Sequence, residues 1–323
     1  MKKVLFAITV VFGLSLALVS TGCGGGGGGG SEEDEIASVW ESSPIPSDFV
    51  FIQGGIVEGN RKFYLDGVKY DVNNTVFING RTVMIESFYI CDHEVTQTEY
   101  QAVMGNNPSG FSDNPASGEI QGKRPVECVS WYDAIVYCNK RSIMEHLTPC
   151  YTINGSKNPR DWGTVPTYKT EAWDIVSCNF IANGYRLPTD VEWEYAALGG
   201  ATGCAASNPN DYAGTDDRSR LGNYAWYDSN SRYKTHEVKK KTSNELGLYD
   251  MSGNVREWCW DFYADVTIDT PVSGASYKSG SERVVRGGGW QAAANFVAIA
   301  ARGVQNQSCH YSMNGFRVVR FSQ

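Results

Sequence analysis

The stretch YRLPTDVEWEYAALGG, residues 185–200, carries a strong local signal for secondary structure. Thr189 followed three residues later by Glu192 forms a capping box, in which the two side chains bond the free backbone amides at the start of a helix. The glycines that close the stretch are typical of a helix end, because glycine adopts the left-handed backbone found there. The stretch therefore predicts a helix that begins after Thr189 and ends at Gly199.

Two further helices are predicted on the N-terminal side of this stretch. A second capping box, TQTE at residues 96–99, opens a helix that ends at Gly105. The sequence SWYD at residues 130–133 opens another one. Its apolar residues recur at the spacing i, i+3, i+4 and i+7, which places them on one face of the helix. They are Trp131, Ala134, Ile135 and Cys138.

Short runs of β-branched and aromatic residues, bounded by turn residues, predict strands on both sides of these helices. Glycine supplies 35 of 323 residues and aromatic residues supply 12%, which favours a loop-rich fold held by large buried rings. Residues 200–245 are polar and loop-like. The sequence thus predicts one α+β domain with about three helices and much irregular backbone. The predicted strands are residues 49–52, 82–85, 88–90, 247–249, 283–286 and 316–321.

Composition excludes several classes of protein. The chain has 28 Lys+Arg against 36 Asp+Glu, a formal net charge of −8, which argues against nucleic acid as the main partner because phosphate binding needs a positive field. Hydrophobic residues make up 41%, which does not suit a membrane protein with several spans. The nine cysteines contain no CxxC pair, so a zinc ribbon or a thioredoxin motif has no support.

The N-terminal region predicts export. Residues 1–22 have a short basic start and a long apolar run, as in a secretory signal peptide. Small residues before Cys23 resemble a bacterial lipobox, although Ser20 stands where most lipoboxes carry Leu. We expect Cys23 to be lipidated, residues 23–40 to form a flexible Gly-rich tether, and residues 41–323 to form the folded domain. The other interpretation is a cleaved secretory signal followed by an incidental cysteine.

Several segments taken together resemble the formylglycine-generating-enzyme family, also called the sulfatase-modifying-factor family. They follow the order of that family over about residues 50–320, and their combination is far more specific than any one of them. The resemblance implies a single domain of the C-type-lectin type. The segments are QGG (53–55), SFYI (87–90), EVT (94–96), PV (125–126), VSW (129–131), YRLPT (185–189), EWEYAA (192–197), GLYDMSGNV (247–255), EW (257–258), RGGGW (286–290) and GFR (315–317).

The resemblance also implies that the chemistry of the family is lost. Its oxidases bind copper through two cysteines after the glycine–tryptophan motif, because soft Cu(I) prefers thiolates. In this chain the two positions fall at Ala292 and Val297, which offer no ligand atom. A related branch of iron-dependent sulfoxide synthases needs a set of three histidines, whereas the histidines here are scattered. We therefore expect no enzyme activity, no copper and no iron. The histidines are His93, His146, His236 and His310.

One metal site of the family is retained in the sequence. In the family, the segment that matches residues 250–257 wraps a calcium ion with a side-chain oxygen, two backbone carbonyls and a carboxylate. The matching positions are Asp250, Gly253, Val255 and Glu257. Hard oxygen ligands from a tight loop suit Ca²⁺, so the resemblance implies a structural calcium ion. The sequence leaves open that Asp250 and Glu257 only cap backbone amides or form salt bridges.

The segment from about residue 290 to 315 places chemically unrelated residues between framework residues such as Trp290 and Arg302. A fixed frame with arbitrary residues in its groove resembles the variable proteins of diversity-generating retroelements, and in particular the variable lipoproteins of treponemes. We expect the unrelated residues to be exposed and to bind ligand. They are Gln291, Ala292, Ala293, Asn295, Phe296, Val297, Ala301, Gly303, Val304, Gln305, Asn306, His310 and Tyr311.

The sequence therefore predicts a non-enzymatic lipoprotein with a diversified binding site, exported and anchored at the outer membrane or cell surface. Its partner would be a protein or surface ligand that differs between variants, its membrane contact would be the lipid anchor, and it would be a monomer. Two alternatives remain open. One is an exported oxidoreductase of the formylglycine-generating type with an altered active site, and the other is a lipoprotein of the same fold with a fixed partner.

Overall fold

The computed structural model describes residues 44–59, 64–65, 68–69, 75–207, 209–271 and 282–322. The predicted signal peptide, Cys23 and the tether lie outside this part of the chain. Within the described residues, no helix combines the length and the apolar character needed to cross a bilayer. Their α-helices are Gln97–Met104 (α1), Trp131–Met144 (α2), Glu171–Asp174 (α3), Asp190–Ala197 (α4) and Gly200–Ala205 (α5).

The strands are short and distributed along the whole described chain. They are Phe49–Ile52 (β1), Gly55–Glu58 (β2), Tyr64–Leu65 (β3), Val68–Lys69 (β4), Thr82–Ile85 (β5), Phe88–Cys91 (β6), Tyr151–Thr152 (β7), Ser177–Cys178 (β8), Tyr185–Arg186 (β9), Arg256–Phe262 (β10), Glu282–Arg286 (β11), Gly303–Asn306 (β12), Asn314–Gly315 (β13) and Val319–Phe321 (β14). The predicted α+β class is confirmed.

Three of the helices begin where their sequences predict. Thr96 accepts a hydrogen bond from the amide of Glu99 at the start of α1, and Gly105 ends this helix with φ 86°. The same reciprocal capping box joins Thr189 and Glu192 at the start of α4, and a third box opens α2. These predictions are confirmed because a capping box acts within a single turn of backbone and does not depend on distant residues.

The strand predicted at residues 247–249 is wrong. The side-chain oxygen of Asn244 accepts hydrogen bonds from the amides of Leu246 and Leu248, both at 3.1 Å, and closes a turn there. Gly247 has φ 81°, a left-handed backbone that does not fit a strand. The loop predicted at residues 200–245 begins instead with the short helix α5. The sequence pattern does not reveal this helix.

Two four-stranded sheets organise the domain, with strand orders β1-β6-β14-β9 and β12-β11-β10-β13. In the first sheet the C-terminal strand β14 lies between β6 and β9, where Val319 is paired with both Ile90 and Arg186. In the second sheet β12 lies at an edge and pairs with β11. The C-terminal strand β14 is therefore held from both sides by earlier strands, whereas β12 and β13 form the two edges of the second sheet.

The core consists mainly of two clusters of buried side chains. The first is built on α2 and includes Trp131, Trp258 and Phe316. The second is built on α4 and includes Trp193 and Val319. Such large rings exclude water from a loop-rich backbone and contribute much of the hydrophobic stabilisation. The two clusters together form the base of the domain, and the chain between residues 286 and 317 contributes Ile299 and Phe316 to it.

A candidate ligand-binding surface at residues 290–315

The two ends of the segment from residue 290 to 315 are tied together. The indole Nε1 of Trp290 donates to the carbonyl of Ser312 at 2.9 Å. Close by, Gln291 Nε2 donates to Met313 Sδ at 3.3 Å. The amide of Trp290 donates to the carbonyl of Asn254 at 2.7 Å, which fixes the start of the segment to the base. The first and last parts of the segment therefore lie side by side.

Gly288 lets the backbone fold back tightly before the segment begins. Its φ is 66°, a left-handed conformation that side chains disfavour. A Cβ atom at this position would lie 2.4 Å from the carbonyl oxygen of Phe296. Only glycine therefore fits between the framework and the short 3-10 helix Ala294–Phe296 that follows it.

Buried charges hold the middle of the segment from below. Arg286 is fully buried; it pairs with Asp190, donates to Glu194 Oε2 at 2.8 Å and donates to the carbonyl of Ile299 at 2.9 Å. Arg302 donates to the other oxygen of Asp190 at 2.7 Å. Burial alone would raise the pKa of Asp190, but the positive charges of the two arginines lower it, so the carboxylate is ionised.

Gln307 also fixes the segment to the rest of the domain, a role that the sequence did not reveal. Its backbone carbonyl accepts a hydrogen bond from the amide of Trp131 at 3.0 Å. Its side chain is buried, where Oε1 accepts from Arg283 Nε at 3.1 Å and Nε2 donates to Asp174. The guanidinium of Arg283 lies 3.7 Å from the ring centroid of Trp131. No local signal distinguishes this glutamine from the neighbouring polar residues, because its partners are remote in sequence.

Most positions that the sequence predicts to be exposed reach solvent. Phe296 and Tyr311 have exposed fractions of 59% and 48%, which is high for aromatic side chains. They provide two aromatic contact areas on a surface that also carries polar side chains and the exposed Val304. The exposed positions are Gln291, Phe296, Val304, His310 and Tyr311, and the half-buried positions are Ala293, Asn295, Ala301, Gly303, Gln305 and Asn306.

The exposure predicted for Ala292 and Val297 is wrong. Their exposed fractions are only 6% and 0%. Both pack into a small apolar cluster with Tyr212, Leu221 and Ala225, residues of an earlier part of the chain that cover them from solvent. The two positions at which the sequence resemblance places the family's copper-binding cysteines are therefore apolar and closed to solvent.

Residues from an earlier part of the chain border the same surface. The carbonyl of Tyr311 accepts from the amide of Cys128 at 3.1 Å, and Phe111 lies edge-on to Trp290 with ring centroids 5.3 Å apart. His310 Nε2 lies 2.9 Å from Asp133 Oδ2, and this hydrogen bond raises the pKa of His310 against the opposing effect of burial. Asp133 has this ion pair in addition to its role in the capping box of α2.

The loop predicted to hold calcium is tight and rich in buried charge. Asp250 and Gly253 have φ values of 56° and 91°, both left-handed. Asp250 Oδ2 accepts from the amide of Lys239 at 2.9 Å. Glu257 forms a salt bridge with Arg317 at 2.6 Å. The capping and salt-bridge roles that the sequence left open are therefore both present.

The loop also has an unsatisfied ligand atom. Asp250 Oδ1 is buried and has no hydrogen-bond partner among the described residues. Burial raises the pKa of Asp250 to about 6, with a further contribution from the charge of Glu257. Burial and the same two carboxylates raise the pKa of Glu94, which contacts Asn254 in the loop. A buried oxygen without a partner among carboxylates fits a hard cation such as Ca²⁺.

Comparison with known proteins identifies a family model and several relatives that match this chain. The family model of the sulfatase-modifying factor enzyme 1-like domain matches residues 38–322. Chaperone protein LppX of Paenibacillus barcinonensis is 38% identical over 292 residues, 86% of this chain and 91% of LppX. The formylglycine-generating enzyme of Streptomyces coelicolor is 32% identical over 154 residues, 42% of this chain and 46% of that enzyme.

Among solved structures, Treponema denticola variable protein 1 is similar over nearly the whole domain. The TM-score is 0.73 and the sequence identity 40%, with 85% of this chain and 95% of that protein covered. A protein whose name describes it as variable thus shares the scaffold that supports the segment from residue 290 to 315. At this level of identity the two chains share their fold and much of their core.

Proposed function

Because the chain belongs to the sulfatase-modifying factor enzyme 1-like family, we propose that it uses the family scaffold for binding and not for catalysis. In this proposal the segment from residue 290 to 315 is a diversified ligand-binding surface on a lipoprotein exposed at the cell surface. The observation that carries the proposal is that chemically diverse exposed side chains lie on a backbone that is fixed from its buried side.

The fixed backbone supports a role in binding. Arg286 and Trp290 hold the segment through its backbone carbonyls, so its course does not depend on the exposed rings of Phe296 and Tyr311. Residues of this kind can change without loss of the fold, as in loops carried by a rigid scaffold. The exposed aromatic rings of Phe296 and Tyr311 suit contact anchors, and neighbouring Gln and Asn side chains suit adaptable hydrogen bonds, a mixture typical of antibody paratopes.

The buried apolar residues argue against the chemistry of the family. Copper binding and thiol exchange both require thiolates at the two positions occupied by Ala292 and Val297. Neither residue offers a ligand, and both are packed against the apolar cluster below the segment. Cys309 is half-buried in a turn of its own, where its amide donates to the carbonyl of Asn306 at 3.0 Å. We therefore propose that this chain is not an enzyme and holds neither copper nor iron.

The similarity to Treponema denticola variable protein 1 supports diversification of this segment. The lipobox-like sequence around Cys23 supports export and lipid anchoring at the outer membrane or cell surface. The ligand would be a protein or surface molecule that differs between variants, and the binding protein would be a monomer that does not use nucleic acid. A fixed partner is the second candidate, favoured by the similarity to a protein named as a chaperone.

The loop of Asp250, Gly253, Val255 and Glu257 would hold a structural Ca²⁺ in this proposal. Asp250 Oδ1 supports it, since this buried oxygen finds no hydrogen-bond partner in the part of the chain that the structure describes, and an ion would satisfy it. The ion would stabilise the left-handed backbone of the loop and would take no part in chemistry.

The binding proposal is tested by probing a protein and glycan array with the purified chain. A variant with serine at Gln291, Phe296, His310 and Tyr311 should lose the signals given by the wild type. A matched variant with serine at Tyr168 and Tyr233, which are 69% and 77% exposed elsewhere, should retain them. Equal binding by all three proteins would contradict the proposal.

The enzymatic alternative has its own assay. Incubation of the reduced, copper-supplied chain with a cysteine-containing peptide should leave the peptide thiol unchanged. Formation of a peptidyl aldehyde would show that the chain is an oxidase. The array and the peptide assay therefore separate binding from turnover on the same protein.

A further inference from the structure

Three potential metal ligands converge at the start of the first sheet. Antiparallel pairing of β1 and β6 places Phe49 opposite Cys91, and the amide of Asp92 donates to the carbonyl of Asp48 at 2.8 Å. The strand ends at Cys91, and the bend that follows it brings His93 Nδ1 to 3.6 Å from Cys91 Sγ. The side chain of Asp48 reaches the same place from the neighbouring strand.

The distances between the donor atoms suit a small tetrahedral ion. Cys91 Sγ lies 3.6 Å from His93 Nδ1 and 4.0 Å from Asp48 Oδ2, and one ligand atom from each of the three residues lies within 4.8 Å of the others. With Zn–S near 2.3 Å and Zn–N near 2.0 Å, adjacent ligand atoms in a tetrahedron are roughly 3.3–3.6 Å apart. Small side-chain rotations would therefore complete the site.

The imidazole is oriented as it is in many metal sites. Its second nitrogen, Nε2, lies 3.4 Å from Glu99 Oε2. A carboxylate behind the distal nitrogen fixes the ring and strengthens the nitrogen that faces the metal. Nδ1 of His93 also contacts Asp92 Oδ1 at 2.6 Å, a contact that an ion on Nδ1 would replace. Asp92 also has a second partner, since Lys239 Nζ lies 2.6 Å from its other oxygen.

We propose that Asp48, Cys91 and His93 bind a zinc ion. Thiolate, imidazole and carboxylate are the ligand types that Zn²⁺ combines, and a water molecule would complete the tetrahedron. Cys91 and His93 are 1% and 8% exposed, whereas Asp48 is half-buried and opens the site to solvent. Binding releases the thiol proton of Cys91, and any proton on His93 Nδ1, to water, so affinity falls as the pH is lowered.

The site would have a structural consequence for the start of the domain. β1 is an edge strand, and its pairing with β6 connects it to the first sheet. An ion shared by Asp48 and Cys91 would link the residue before β1 to a buried residue of β6. Zinc would therefore hold the entry of the chain into the domain against fraying.

The experiment uses the full chain in detergent, treated with reductant and chelator, and then titrated with Co²⁺ and Zn²⁺. One Co²⁺ ion should bind per chain and give a thiolate-to-metal charge-transfer band. Zn²⁺ should remove this band by displacing Co²⁺. Cys91→Ser should abolish the band, and Glu99→Gln, which retains the helix cap, should weaken affinity about 10–100-fold. Cys309→Ser and Cys23→Ser are the matched controls and should retain the band.

A variant that fails to fold does not decide the question, so the wild type is also measured alone. X-ray absorption at the zinc edge should show one sulfur at about 2.3 Å and nitrogen or oxygen neighbours at about 2.0–2.2 Å. A cobalt complex without the charge-transfer band, a band that survives Cys91→Ser, or a zinc shell without sulfur would each overturn the proposal.

Discussion

The guanidinium of Arg286 donates to the backbone carbonyl of Ile299 at 2.9 Å, so a fully buried residue of the frame holds the middle of the candidate surface. The contact is to backbone, and it is therefore indifferent to the identity of the side chain at position 299. The same logic applies to Trp290, which donates to the carbonyl of Ser312. The frame fixes the course of the chain and leaves the exposed side chains free to vary.

The first prediction concerns this frame. Arg286→Met should destabilise the protein by about 3–5 kcal/mol, because it removes a charged donor from each of the buried carboxylates of Asp190 and Glu194. Urea unfolding followed by tryptophan fluorescence measures the change. Arg160→Met, at an exposed arginine, is the control and should be close to neutral. Equal free energies of unfolding for the two variants would mean that the buried contacts of Arg286 do not stabilise the domain.

The second prediction concerns the exposed side chains. Serine at Gln291, Phe296 or Tyr311 should change the free energy of unfolding by less than about 0.5 kcal/mol each, because these positions lie away from the core. Serine at Val297 should destabilise by several times as much, since this residue is fully buried in the apolar cluster. A larger loss at Phe296 than at Val297 would contradict the assignment of exposed and buried positions.

The third prediction concerns pH. The hydrogen bond from His310 to Asp133 should give His310 a pKa above its ordinary value of 6.5, and Asp133→Asn should lower it. Because the folded-state pKa is raised, the stabilisation from this pair is complete below the pKa of the unfolded chain and is lost as the pH rises through the folded value. NMR titration of the His310 ring measures both values. An unchanged pKa in Asp133→Asn would show that the pair does not form in solution.

The fourth prediction concerns calcium. Saturating Ca²⁺ should raise the melting temperature. At a free concentration of 100 times its dissociation constant, the ion should add about 2.7 kcal/mol to the free energy of unfolding. Asp250→Asn should reduce this gain because it removes a charged ligand of the loop. Asp216→Asn, at an exposed carboxylate, should leave it unchanged. If Ca²⁺ raised the melting temperature of both variants equally, the ion would not be bound by the loop of Asp250.

The sequence predicted the parts of the fold that depend on neighbouring residues. The capping boxes that begin at Thr96 and Thr189 correctly located two helices, since each box acts within one turn. The predicted strand at residues 247–249 failed because the amide side chain of Asn244 closes a turn that propensity does not reveal. Local signals thus identified helix starts better than short strands.

The candidate surface shows the same limit. The exposure of residues after Trp290 such as Phe296 and Tyr311 could be predicted, because chemically unrelated residues lie there between framework positions. The burial of Ala292 and Val297 could not, since their partners Tyr212 and Leu221 are remote in the sequence. The cluster around Cys91 was missed for the same reason, because only the pairing of two strands brings Asp48 to it.

The most direct test of a diversified surface is to sequence codons 286–320 in many isolates or clones that carry this gene. We expect amino-acid differences to concentrate at exposed positions such as Gln291, Phe296 and Tyr311, to arise from changed adenines relative to a near-copy beside a reverse-transcriptase gene, and to spare Gly288, Trp290 and Arg302. A segment that is invariant, or that varies equally at framework and exposed positions, would contradict a diversified binding surface.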